Sequence, residues 1–429
     1  MQTTENKTTT VSPYLITSYS IARDLAKTAI WSEKEQICNW QGANIDAING
    51  KYQVVTRTFG ADLYSGLSGI ALFLAEVFLR APDPIIRETL AGTVKNILKQ
   101  MKEKPTPSLF GFHSGRLGIG FSLWKIGTLM GNSEWKQEGL KIVKNLIKET
   151  IGDHEIDVIS GAAGAIPVLL KMHKEENDSV FLEIAKKCGD FLLTKADKSE
   201  TSWSWQTIPD NPGLTGYSHG TAGIATALIE LYTKTENIEY WNAAMMAFQY
   251  ERMHFDSQLN NWLDLRKGIS PQPNSEHQHV CGEMWCHGAP GIALSRLRAY
   301  ELTGRLDFLQ EAQLALDTTY RSTIKSLASP ENCNFSLCHG LAGNADILLT
   351  GGIILNNASY IQIAQQVGNL GSALYEKTET DWPSGVNDPT GLTLGMEPTP
   401  GLMLGSSGTG YFYLRLASPN DVENILMIK

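Results

Sequence analysis

Gly66-Leu67-Ser68-Gly69, followed by the apolar run Ile70-Ala71-Leu72-Phe73-Leu74, is the stretch whose reading decides the fold. The same frame, two glycines three apart and then an apolar run, returns at Gly115–Gly118, Gly161–Gly164, Gly220–Gly223, Gly288–Gly291, Gly340–Gly343 and Gly405–Gly408. The steps between first glycines are 49, 46, 59, 68, 52 and 65 residues. Such a period is too long for a short hairpin unit and fits two helices with their loops. Glycine at the start of an inner helix lets backbones approach closely.

The intervening segments supply the second helix of each pair. Residues 82–101, 133–150, 180–196, 238–255, 306–323 and 359–378 all carry apolar residues at helical spacing. Over 133–150, Leu140, Val143, Leu146 and Ile147 share a face, while Lys141, Lys144 and Lys148 point elsewhere. Alternating Val/Ile/Thr runs are few and regular hairpin dipeptides are absent by this reading. The expected fold is therefore all-α, an α/α toroid of seven helix-pair repeats, with the glycine loops gathered at one end. Residues 1–49 read as an N-terminal capping or docking segment and residues 50–429 as the toroid. Three connections break the period, at 198–217, 256–284 and 381–399, and long connections of this kind often form functional rims.

Composition narrows the function. A net charge of −9 argues against nucleic acid as the main partner, because phosphate binding needs clustered Lys and Arg. The first dozen residues are polar and Thr-rich, without the apolar core of a secretory signal. No run approaches the roughly 20 apolar residues of a membrane span. The expectation is a cytoplasmic protein. Its six cysteines are sparse, and two stand beside histidine, which suits a reduced, metal-using set better than a disulfide framework.

Those two pairs carry the chemistry: Trp285-Cys286-His287-Gly288 and Leu337-Cys338-His339-Gly340, each with another glycine three positions on. A catalytic zinc ion commonly takes about three protein ligands and keeps one position open. Cys286, Cys338 and His339 supply such a set, and loops five and six are adjacent in any closed or open array of these units. His219, just before the fourth glycine pair, is a candidate for proton transfer near neutral pH. Asp157, at the third motif, either orients that imidazole or caps a helix. His287 could serve as an acid in the cavity or only as a structural neighbour of the metal. A competing metal site is conceivable at His277, His279 and Cys281.

Together, the seven glycine motifs, His219 in His-Gly-x-x-Gly, and the two cysteine motifs in units five and six resemble the lanthionine cyclase family. The similarity runs from about residue 60 to the C-terminus. The resemblance implies an α/α toroid with Zn2+ held by Cys286, Cys338 and His339. It makes His219 the proton-handling histidine and Asp157 its acidic companion. The reaction implied is addition of a peptide Cys thiol to dehydroalanine or dehydrobutyrine, which closes a (methyl)lanthionine ring. The substrate would be a dehydrated precursor peptide, with dehydration done by a separate dehydratase. The wording Trp-Cys-His-Gly-Ala-Pro-Gly is more similar to the cyclase half of class II lanthipeptide synthetases. One departure stands out: many simpler cyclases carry arginine four residues before the first cysteine ligand, where this chain has Gly282. Two other readings stay open, an enzyme adding another thiol such as glutathione in trans, and a non-catalytic zinc-containing peptide scaffold.

Overall fold

The computed structural model describes residues 11–48, 51–103, 106, 108–269, 279–378, 380–386 and 398–429. The described chain begins with helix α1 (Pro13–Thr28) and continues through seven inner helices, each but the last followed by an outer one. The pairs are α2 (Leu67–Arg80) with α3 (Pro84–Glu103), α4 (Arg116–Leu129) with α5 (Ser133–Asn145), and α6 (Ala162–Glu176) with α7 (Ser179–Lys195). Next come α8 (Thr221–Thr235) with α9 (Ile238–Met253), α10 (Ala289–Thr303) with α11 (Leu306–Leu327), and α12 (Leu341–Leu355) with α13 (Ala358–Gly371). The seventh inner helix is α14 (Ser406–Ala417), and its outer partner is α1. Contacts of α14 with both α12 and α2 close the ring. The expected toroid of seven pairs is what the chain forms.

The glycine motif has one physical cause in all seven units. The first glycine is the residue immediately before the inner helix, extended at six of them and at φ +87° in Gly288. The second glycine lies in the first turn. A Cβ there would overlap the carbonyl oxygen of the residue three places ahead of the motif, Phe112 for Gly118 and Tyr217 for Gly223. Each loop thus folds back over its own helix start, and only glycine leaves room. Inner helices are buried almost all round, as α12 is from Leu341 to Gly352, while outer helices bury one stripe.

Two features depart from expectation. Residues Gln41–Ile48 and Lys51–Thr58 form an antiparallel hairpin, with Ile48 opposite Lys51. The sequence between these strands is Asn49-Gly50, a dipeptide that favours hairpins, so the expected absence of such signals does not hold. The 359–378 segment is also less regular than anticipated: α13 ends at Gly371 and Ser372–Glu376 follows as a π-turn. Within the N-terminal segment expected to cap or dock, α1 supplies the outer layer of unit seven, and its Ser18 Oγ donates to the Gly410 carbonyl across 2.8 Å. Among the described residues, no helix is long and apolar enough to cross a membrane.

Gly223→Ala should cost about 1–3 kcal/mol, because Val158 and the Tyr217 carbonyl occupy the space its methyl needs. Gly60→Ala, whose Cβ would meet nothing closer than 3.4 Å, should stay within about 0.5 kcal/mol. Urea midpoints of the two variants check this; equal midpoints would mean the carbonyl yields without cost.

Candidate metal centre

The loops meet through their backbones at the N-terminal ends of the inner helices. Tyr64 N–H donates to the His113 carbonyl (2.8 Å), His113 N–H to Ile159 (3.0 Å), Val158 N–H to Ser218 (3.0 Å) and Ser218 N–H to Cys286 (3.4 Å). On the far side, Cys338 N–H donates to Met403 (3.0 Å) and Met403 N–H to Tyr64 (2.8 Å). This convergence aims seven helix N-termini, with their partial positive charge, at one rim. Negative charge is therefore favoured there before any side chain is counted.

Cys286, Cys338 and His339 come together, with one ligand-type atom of each within 4.8 Å of the others. Both thiols are buried, at 8% and 3% exposure. His339 Nε2–H donates to the Gly385 carbonyl (2.7 Å), which fixes the ring and leaves Nδ1 as its free ligand atom. Two sulfurs and one imidazole form a donor set suited to zinc, and ligand bonds of about 2.0–2.3 Å close this spacing with small movements. The residues present fit the ion.

The site is electrically biased even before an ion enters. Cys338 is held below its ordinary thiol value, first by a hydrogen bond from Cys286, then by the Tyr64 hydroxyl and the Arg266 charge, against burial. Cys286 is correspondingly pushed well up, by its hydrogen bond to Cys338 and by burial. The two thiols are thus split in opposite directions, chiefly by the contact between them.

His219 and Asp157, from the adjacent loops of units four and three, also meet. His219 Nδ1 lies 2.6 Å from Asp157 Oδ2, while Asp157 Oδ1 accepts from the Ser160 N–H at 2.7 Å. Asp157 therefore sits beside the imidazole with one oxygen and braces the turn ahead of α6 with the other; the helix itself starts from Gly161 without a side-chain cap, so the cap reading does not hold. Burial works against an imidazolium at His219. The hydrogen bond and charge of Asp157, aided by Cys286, outweigh it and raise the pKa above its ordinary value. With Nδ1 engaged, Nε2 is the ring nitrogen left for a ligand.

His287 is buried, its ring centroid 6.0 Å from that of His219. Burial and then the Arg266 charge press its pKa down to about 3, so this ring stays neutral at neutral pH. Of the competing site, His277 lies outside the described residues. His279 pairs instead with Asp256 at 3.0 Å, on a half-exposed side chain.

Two residues at the rim were not anticipated. Arg266 forms a fork with Asp264, Nε to Oδ1 at 3.0 Å and Nη2 to Oδ2 at 2.7 Å. Its charge acts on both sulfurs and on His219, His287 and His339. Position 282 could not have supplied that guanidinium: a Cβ on Gly282 would stand 2.5 Å from the His287 carbonyl oxygen. Arg266 sits in an aperiodic loop, so periodicity could not flag it. Tyr64 could have been found, because it stands two places before its first glycine, as Cys286 and Cys338 do in units five and six.

Comparison with known proteins bears on these features. The lacticin 481/lactococcin biosynthesis protein LcnDR2 of Lactococcus lactis subsp. lactis is 26% identical over 424 residues, covering 96% of this chain. The chain spans 42% of that relative's length. The nisin biosynthesis protein NisC of the same organism is 23% identical over 326 residues, 70% of this chain and 75% of that one. The solved structure of a nisin cyclase superposes with a TM-score of 0.62 at 19% identity, over 84% of this chain and 89% of the other, and shares the fold. The family model for lanthionine synthetase C-like proteins matches residues 58–427, which takes in all seven glycine loops, and the chain belongs to that family.

Proposed function

We propose that this chain is a zinc-dependent cyclase that joins Cys thiols of a dehydrated peptide to dehydroalanine or dehydrobutyrine, forming thioether rings. The observation that carries this reading is the meeting of Cys286, Cys338 and His339 at the same rim as the His219–Asp157 pair. Family membership and the likeness to a nisin cyclase support it.

When bound, zinc supplies the positive charge that makes a thiol, ordinarily of pKa about 8.5, a thiolate at neutral pH. Cys286, Cys338 and His339 would hold it, with the Gly385 carbonyl keeping His339 in register. The addition itself forms a C–S bond at the alkene β-carbon and leaves negative charge on the α-carbon and its carbonyl oxygen. Arg266, anchored by Asp264, offers positive charge against that build-up. His219, its pKa raised by Asp157 against burial, delivers the proton to the α-carbon through Nε2. His287, held neutral, serves as a wall of the cavity and not as an imidazolium acid.

The reaction is an isomerisation of the peptide, so free thiols should disappear with no change in mass. Zinc-loaded protein incubated with a dehydrated, Cys-containing peptide should show this by thiol titration and mass spectrometry. Thiols that persist, or a mass gain only when glutathione is supplied, would contradict the cyclase reading. In the same assay His219→Ala should lose about 10²–10⁴-fold in rate with its metal content unchanged.

The pH profile gives a second check. His219 acts in its protonated form, so activity falls as pH rises through its raised pKa. Asp157→Asn removes the charge that raises it, and the alkaline limb should move to lower pH. An unmoved limb would assign that proton to another group.

A further inference from the structure

Trp285 and Cys286 are the middle residues of a closed turn. Met284 N–H donates to the His287 carbonyl at 3.1 Å and His287 N–H to the Met284 carbonyl at 3.2 Å, so the four residues move as a unit. The Cys286 carbonyl accepts from Ser218, from its N–H at 3.4 Å and from its Oγ at 3.2 Å. That fixes the turn on the side of unit four. On the side of unit six, among the described residues, no backbone hydrogen bond reaches it.

The second anchor is the Trp285 indole. It is fully buried, and its Nε1–H donates to the Leu426 carbonyl at 3.1 Å. Leu426 lies in the stretch after α14, where Val422, Ile425, Leu426, Met427 and Ile428 are buried without helix or strand. Buried irregular backbone needs partners for its polar groups. Leu426 N–H donates to Asn424 Oδ1 at 2.8 Å, and Asn424 Nδ2 donates to Thr350 Oγ1 at 2.8 Å. Thr350 stands on α12, the helix that starts two residues after His339. Arg415 clamps the same stretch to α12: Nη1 donates to the Val422 carbonyl at 2.8 Å, Nη2 to Thr350 Oγ1 at 2.9 Å and Nε to Asp346 Oδ1 at 2.9 Å. A buried line of hydrogen bonds therefore runs from the turn that holds Cys286 to the helix that follows Cys338 and His339.

We infer that Trp285 is a positioning residue of the metal centre: its bond to the Leu426 carbonyl, carried on through Asn424 to Thr350, sets the stance of the Cys286 turn against Cys338. The inference rests on the metal reading above. A metal site accepts ligand distances only within about 0.2 Å of the preferred value, so a slight tilt of the turn is felt at the ion. If the indole bond only stabilised the fold, its loss would lower the melting temperature and leave affinity and spectrum alone.

Replacing Trp285 by 3-benzothienylalanine keeps the shape of the side chain and removes the N–H. Cobalt titrated against a competing chelator should still bind, one per chain, about tenfold more weakly than in wild type, and the visible d–d bands should change with it. The same replacement at Trp262, whose buried Nε1 has no partner among the described residues, should leave both unchanged. Thr350→Val, at the far end of the line, should weaken binding too, and the two changes together should cost no more than the larger one alone. Equal affinity and superposable bands in the Trp285 variant would overturn its role and leave the metal reading intact, as would an equal loss at Trp262 or fully additive losses with Thr350→Val. A wild type that binds no cobalt would overturn both. Should the Trp285 variant not fold, Thr350→Val decides alone, and unchanged affinity there is a refutation.

Discussion

The circle of backbone hydrogen bonds between the glycine loops is the constraint on which the rest depends. It runs from loop seven through loop one to loops two, three, four and five, and from loop six back to seven. Among the described residues no backbone hydrogen bond joins loop five to loop six; there Asn344 Nδ2 donates to the Glu283 carbonyl across 2.8 Å. The two loops left unjoined are the two that present Cys286 and Cys338. A shared ion would complete the circle where the peptide groups do not. Metal binding of that kind contributes to folding as well as to chemistry.

The glycines make the circle possible. Each loop must double back over the start of its helix for its carbonyl and N–H to face sideways toward the neighbouring loops. That packing places a short run of side chains, those one and two residues ahead of the first glycine, around a single rim. In unit four the run is Ser218-His219, in unit five Cys286-His287 and in unit six Cys338-His339. In this chain those two places carry both cysteines of the cluster and three of the histidines at the rim. The electrostatics follow from position: helix N-termini and Arg266 favour anionic sulfur, and Asp157 places its charge against His219.

Much of this was legible because it repeats. Seven glycine pairs at helix-pair spacing announce inner helices, and the cysteine-histidine pairs announce a candidate metal site because both occur in one frame. What escaped lacks that periodicity. Arg266 belongs to an irregular loop, brought to the rim by a bridge between Leu263 and Cys281 and by the Asp264 N–H bond to the Val280 carbonyl at 2.8 Å. The closing role of α1 is a non-local pairing between residues nearly 400 positions apart, as Ser18 with Gly410, and no local pattern encodes it. The hairpin after residue 41 was marked by Asn49-Gly50, a signal overlooked because the helical pattern dominated. Asp157 shows a different limit: a carboxylate ahead of a helix reads locally as a cap, but the helix starts from Gly161, and the partner that engages Asp157 Oδ2 is a histidine 62 residues away.

Zinc K-edge X-ray absorption on the purified protein tests the central claim most directly. The account predicts one zinc per chain with two sulfur scatterers at about 2.3 Å and the outer-shell pattern of one imidazole. The sulfur contribution should fall by half in Cys338→Ser. An edge without sulfur scatterers, or a shell of six light atoms, would contradict it.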